Sequence, residues 1–232
     1  MNNKEYFSKA LPRFDAVILA DGSFPTHELP LSVLRRAERI VCCDHALLSL
    51  LKYEPQLVEH LMALRAVDDV GDGDSMPSDV RERYSQIIHQ VSEQDDNDLT
   101  KATRFLLSVV KPNKGKLRVA YIGATGKRED HTIGNISLMD FYRHNFAIEP
   151  VMLTDWGFFT AHDGNSELQT FARQQMSIFN ITCKSLSSNG LEWQAFAYEQ
   201  LWQGTLNNCL GSRVSFNADG RYMVYRTYDA KK

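Results

Sequence analysis

The chain of 232 residues is 43% hydrophobic and 24% charged, which supplies a real core and excludes a disordered protein. A formal net charge of −3 and a pI near 6.2 exclude any general attraction to nucleic acid or anionic lipid. No signal-peptide pattern opens the chain, no stretch reaches the ~20 apolar residues that cross a bilayer, and four cysteines show neither zinc nor disulfide spacing. A cytoplasmic protein with reduced, mostly buried thiols is expected, without nucleic-acid or membrane partners.

In chain order, residues 16–20 (AVILA), 39–43 (RIVCC), 87–91 (IIHQV), 117–122 (LRVAYI) and 148–153 (IEPVML) are short apolar or β-branched runs that predict strands. The run 64–70 predicts a further extended segment. Between the third and fourth strands, Leu99, Ala102, Phe105, Leu106, Val109 and Val110 recur at helical spacing, so a helix is expected over residues 98–110, ended by Pro112 and Gly115. A second helix is expected from about His131, with Ile133, Ile136 and Met139 on one face and Asp130 as its cap. Beyond Asp155 the texture changes. Residues 176–182 and 221–228 alternate with period two, and Asp163-Gly164, Asn189-Gly190 and Asp219-Gly220 are turn signals. The fold class read from this pattern is α/β: a Rossmann-like, mostly parallel sheet with flanking helices in residues 1–155, followed by an all-β sandwich in residues 156–232.

Three polar clusters stand at strand ends. In residues 71–75 (GDGDS), Asp72 and Asp74 are two carboxylates one residue apart after an extended run, able to face one hard cation; the same residues also suit a solvated acidic turn. The second cluster, Gln94, Asp95, Asp96, Asn97 and Asp98, precedes the long helix. Capping and the helix dipole account for one or two of its acids, while three in four residues repel one another unless a cation neutralises them. Lys101, one turn in, either reaches an anionic phosphate or snorkels on a solvent face.

The third cluster, residues 123–131 (GATGKREDH), joins a strand to a helix N-terminus. Gly123 and Gly126 bring backbone N–H groups to an anion, and Lys127 and Arg128 add charge. The spacing is wrong for a P-loop, and Arg128 stands where that motif needs Ser or Thr. His131 reads as a helix-start residue, a substrate neighbour or a satisfied structural histidine. All three clusters fall at the C-terminal ends of predicted strands, where open α/β sheets place ligands. Acids for a metal and a cationic phosphate loop are the parts phosphoryl transfer uses.

In the same order, residues 71–75, 94–102 and 123–135 resemble the three motifs of thiamine pyrophosphokinases, approximately G-D-x-D-S, Q-D-x-T-D-x-x-K-A and G-x-x-G-G-R-x-D-H-x-x-x-N. The resemblance implies an α/β domain followed by a β-sandwich, a homodimer with its sites between subunits, and transfer of pyrophosphate from ATP to the hydroxyl of thiamine. It also implies site roles. Asp72, Asp74 and Asp98 would hold Mg²⁺ and nucleotide phosphates, with Asp44, Ser75, Asp95, Lys101, Gly123, Gly126, Lys127, Arg128 and His131 around the ATP. Asp130 would join the catalytic group, and Gln94, Asp130 and Asn135 would shape the thiamine end. In the β domain, the resemblance makes Asn207 the candidate for a thiamine contact across the dimer, while Trp202, like Trp193, either stacks on the cationic ring or packs as a core aromatic of the sandwich. Four departures stand out: Lys127 replaces the loop's second glycine, Asn97 a threonine, Leu206 a serine, and His45 follows Asp44 where the family tends to have glycine. Two other readings stay open: an aspartyl-nucleophile phosphatase built on residues 72–75, and a non-catalytic thiamine or nucleotide sensor on the same fold.

Overall fold

The computed structural model describes residues 7, 11, 13–72, 76–112 and 115–230, and these fall into two compact units whose segments interleave along the chain. Asp74 and Ser75 lie outside the described residues. One unit comprises Phe14–Ser137 and Ala147–Asp155; the other takes the described residues before Phe14, Leu138–Phe146 and the chain from Trp156 onward.

The first unit holds six strands: β1 (Ala16–Leu19), β2 (Ile40–Cys43), β3 (Val67–Gly71), β4 (Ile88–Gln90), β5 (Leu117–Ile122) and β6 (Ile148–Leu153). They lie in the order β6-β5-β1-β2-β3-β4, and every neighbouring pair is parallel. All four residues of β1 and all four of β2 are buried, as continuous apolar runs must be in a parallel sheet covered on both faces. Five of the strands occupy the runs the sequence singles out, with β4 shortened to three residues. The chain fills β2, β3 and β4 on one side of β1 and then crosses to β5 and β6 on the other. The β1/β5 boundary is therefore the topological switch point.

Among the described residues six helices accompany the strands: α1 (Glu28–Arg35), α2 (Ala46–Tyr53), α3 (Pro55–Ala63), α4 (Ser78–Arg83), α5 (Asp98–Val109) and α6 (Glu129–Asn145). Asn97 caps α5, its side chain accepting the Thr100 N–H at 2.9 Å, so the departure from threonine keeps the cap. The α5 face turned to the sheet carries Leu99, Ala102, Leu106 and Thr103, whose hydroxyl meets the Leu99 carbonyl and the Tyr121 hydroxyl. Helix α6 begins at Glu129, two residues before the predicted start. Asp130 therefore sits in its first turn and does not cap it; the Arg128 carbonyl accepts from the Thr132 N–H and opens the helix.

The second unit is antiparallel. Strands β7 (Gly157–Asp163), β8 (Ser166–Gln169), β9 (Gln174–Asn180), β10 (Leu186–Asn189), β11 (Asn207–Asn208), β12 (Arg213–Ala218) and β13 (Arg221–Ala230) form two sheets, ordered β11-β9-β13-β7 and β10-β12-β8. The turns at Asp163-Gly164 and Asp219-Gly220 each carry the chain from one sheet to the other instead of closing a hairpin within a sheet. Inner residues of both sheets, among them Leu168, Met176, Ile178, Val214, Phe216 and Tyr222, make one core. Sequence texture places residues 138–146 with the first domain, whereas contacts place them with the second: Asp140 accepts from Arg221 at 2.9 Å. A helix that runs unbroken through both units has no compositional mark at that division.

All four cysteines are free and buried, and burial pushes the Cys42 and Cys43 thiols well above their ordinary value. They are packing residues with little thiolate. Among the described residues, no helix is long and apolar enough to cross a membrane.

Candidate active site

A cleft of about 580 Å³ opens at the C-terminal ends of the parallel strands. The ends of β1 to β5 each deliver one piece of its wall. Asp21 and Gly22 follow β1, Asp44 follows β2, Asp72 follows β3, and the segment after β4 delivers Gln94, Asp95, Asp96, Asn97 and Asp98. After β5 come Gly123, Ala124, Thr125, Lys127 and Arg128, and the first turns of α6 add His131, Thr132 and Asn135.

The acidic side of this cleft faces cations at close range. Lys101 is buried, its side chain only 3% exposed, with its ammonium 3.5 Å from Asp98 Oδ1 at the cleft wall. The solvent-face reading of Lys101 is thereby overturned: the turn from Asp98 to Lys101 points inward. In the β5 loop, Arg128 is clamped by Asp130 at 2.6 and 3.2 Å, and Lys127 donates to Asp21 Oδ2 at 2.9 Å. The Arg128 hydrogen bond and the His131 N–H hold the Asp130 carboxyl below its usual range. Asn135 donates to the Ala124 carbonyl at 2.9 Å and ties the loop to the helix behind it.

Of the sequence-predicted residues, Asp44, Asp72, Gln94, Asp95, Asp98, Lys101, Gly123, Lys127, Arg128, His131 and Asn135 line one cleft. Gly126 lies in the loop behind the wall, at φ +90°, where its missing Cβ would stand 2.3 Å from Ser23 Oγ. Asp130 is outside the wall and orients Arg128. Asn207 and Trp202 belong to the other unit. The Asn207 amide is engaged with the Trp193 backbone, accepting its N–H at 3.2 Å and donating to its carbonyl at 2.7 Å, while Trp202 is 73% exposed in a short 3-10 turn, Leu201–Gly204. Asp21 and Gly22 are additions. Their sequence signal is the Asp-Gly pair after β1, which repeats the one after Gly71 but stands in the first strand–helix loop, outside the three polar clusters.

Gly22 packs against the β5 loop. A Cβ there would stand 2.2 Å from the Gly123 carbonyl oxygen and 2.3 Å from that of Thr125. Gly22→Ala is therefore expected to destabilise the protein by about 2 kcal/mol, because backbone must move to relieve the overlap. Chemical denaturation of both proteins checks this.

Fold and cleft together define an α/β protein with an acid- and cation-lined ligand site at the switch point of its parallel sheet. Comparison with known proteins narrows the class. The family described as "Thiamin pyrophosphokinase, catalytic domain" matches residues 31–149, and "Thiamin pyrophosphokinase, substrate-binding domain" matches residues 157–225. The chain belongs to the thiamin pyrophosphokinase family. Thiamine pyrophosphokinase 3 of Oryza sativa subsp. japonica is 38% identical over 83 residues, 34% of this chain and 31% of that protein. Thiamine pyrophosphokinase 1 of the same plant is 31% identical over 131 residues, covering 52% and 48%. These matches thus span about a third to a half of the length of the curated relatives. In fold, thiamin pyrophosphokinase from Candida albicans superposes with a TM-score of 0.73 at 17% identity, over 93% of this chain and 90% of that one.

Proposed function

We propose that the protein is a Mg²⁺-dependent thiamine pyrophosphokinase, transferring pyrophosphate from ATP to the hydroxyl of thiamine and releasing thiamine diphosphate and AMP. One observation carries the reading: carboxylates at residues 44, 72 and 98 and cations at 101, 127 and 128, far apart in sequence, line a single cleft. The donor set fits the ion. Mg²⁺ takes oxygen ligands and is held by one or two carboxylates together with waters and phosphate oxygens. Among the described residues no three metal-binding side chains form a closed cage, and such a site needs none. Asp72 and Asp98, with Asp74 by the family motif, would hold the ion. When bound, it supplies positive charge to the phosphate oxygens.

The chain's own residues do the rest by position and charge. Arg128, Lys127 and Lys101 surround the triphosphate, and the β5-loop amides at the start of α6 add their dipoles. The thiamine hydroxyl oxygen forms a bond to the β-phosphorus and gives up its proton to solvent, the bond between that phosphorus and the α,β-bridging oxygen breaks, and AMP leaves with the electron pair. Asp130, held below its usual range by Arg128, suits orienting that guanidinium better than accepting the hydroxyl proton. Gln94 and Asn135 shape the thiamine end. Asn207 and Trp202 are proposed as thiamine contacts supplied by a second copy of the chain. A homodimer is supported by the exposed Trp193, Phe196, Leu201, Trp202, Leu206 and Leu210 on the sandwich unit. The α/β unit of residues 14–137 and 147–155 is the proposed catalytic domain, the sandwich unit the thiamine-binding and dimerisation domain, and the cytoplasm the proposed compartment.

Incubation with ATP, Mg²⁺ and thiamine tests the reading. AMP that appears only with thiamine supports it. Inorganic phosphate released without thiamine indicates the phosphatase, and ligand binding without AMP indicates a sensor. Light scattering tests the dimer by particle mass.

A further inference from the structure

We propose that Asp21 is a positioning residue for the nucleotide phosphates, acting through Lys127; this rests on the reading of the cleft as an ATP site. Asp21 sits on the loop that follows the strand on one side of the switch point, and Lys127 on the loop that follows the strand on the other. Their side chains meet at 2.9 Å, Lys127 Nζ donating to Asp21 Oδ2. Neither loop is free to drift. The Gly22 N–H donates to the Gly123 carbonyl at 2.6 Å, the Ser23 N–H to the Thr125 carbonyl at 2.8 Å, and the Ser23 hydroxyl to the Gly126 carbonyl at 2.9 Å. Further along, the N–H groups of Thr26 and His27 donate to Asp155, 2.9 and 3.1 Å from its Oδ1, which pins the far end of the same loop.

The physical consequence concerns Lys127. An ammonium on a four-carbon stem samples many rotamers, and this one is 56% exposed opposite a wall holding Asp44, Asp72 and Asp98. Without an anchor of its own, that wall attracts it away from the loop amides. Asp21 supplies the anchor from a rigid backbone. Arg128 shows the same device with Asp130, so each cation of the loop has its own carboxylate. A phosphate entering the loop then meets two placed cations and has fewer rotamers to freeze.

The test is a double-mutant cycle read as Mg·ATP affinity by titration calorimetry, with melting temperature followed in every variant. Asp21→Ala is expected to weaken binding about fivefold and Asp21→Asn, whose amide oxygen still accepts from the lysine, about twofold. In a Lys127→Met background, Asp21→Ala is expected to change affinity by less than about 1.5-fold, because its only route of action is gone. In turnover the loss appears in KM for ATP while kcat holds. An equal fivefold loss in the Lys127→Met background overturns the proposal, since Asp21 would then act by itself. Tighter binding by Asp21→Ala overturns it too, the carboxylate being a competitor for the lysine. Mg·ATP binding without thiamine-dependent AMP refutes the proposed reaction and leaves the cycle readable, whereas a wild type that does not bind Mg·ATP refutes both.

Discussion

Asp72→Asn and Asp98→Asn are each expected to lower the rate of AMP formation by about 10²- to 10³-fold while shifting the melting temperature by about 2 °C or less. The amide keeps the shape of the carboxylate and removes one negative charge, so the cost falls on cation binding and hardly on packing. Structure explains why stability is spared. The Asp98 side chain is 53% exposed in the first turn of α5, where its interaction with the helix dipole is worth about 0.3–1 kcal/mol. Its partner Lys101 shares the cleft wall with Asp44, Asp72 and Asp95. Asp72 follows β3 and is half-buried at the cleft wall, outside the sheet's buried core. Steady-state kinetics at saturating Mg²⁺, paired with thermal melts, measure both quantities. A variant that keeps the wild-type rate removes its carboxylate from the proposed metal site.

Asp69→Asn is expected to change how stability responds to pH. Asp69 lies on β3, between Cys42 on β2 and Ile88 on the edge strand β4, 2% exposed and, among the described residues, with no hydrogen-bond partner for Oδ1. Burial, and then the charge of Asp44, pushes its carboxyl up from an ordinary value of 3.8 to about 8. A raised folded value means that the fold keeps a proton the unfolded chain releases. The resulting stabilisation is complete below pH 3.8 and is lost progressively as pH rises toward 8. From pH 5 to pH 8 this one group removes on the order of 3 kcal/mol from the wild type. The uncharged, isosteric asparagine removes none of it. Urea unfolding at pH 5 and pH 8 reads the difference; parallel pH dependence in the two proteins would show that Asp69 ionises freely in the fold.

Asp69 also marks a limit of reading the chain alone. The run 64–70 predicts no more than an extended segment, and its adjacent acids Asp68 and Asp69 are a poor fit to a covered parallel sheet. In the fold Asp68 answers Arg39 at 2.6 Å and His89 at 2.8 Å, and Asp69 is buried on the opposite face. Those partners are 29 and 21 residues away, so no local pattern announces them. The start of α6 shows the same limit at close range. An aspartate before a helical run reads as a cap, yet Asp130 spends its oxygens on Arg128 and the His131 N–H, and the helix opens earlier.

Amino-acid order by itself determined the α/β class, the run of parallel strands, the all-β C-terminal region and the three polar clusters, because periodicity, turn residues and charge spacing act over a few residues at a time. Only tertiary structure decided that the clusters face one cleft, that Lys101 turns inward, that residues 138–146 pack with the sandwich, and that Asp21 holds Lys127. Strand order sets these outcomes. Placing β1 between β2 and β5 brings together loops 106 residues apart in the case of Asp21 and Lys127, and a pairing at that separation leaves no trace in local sequence.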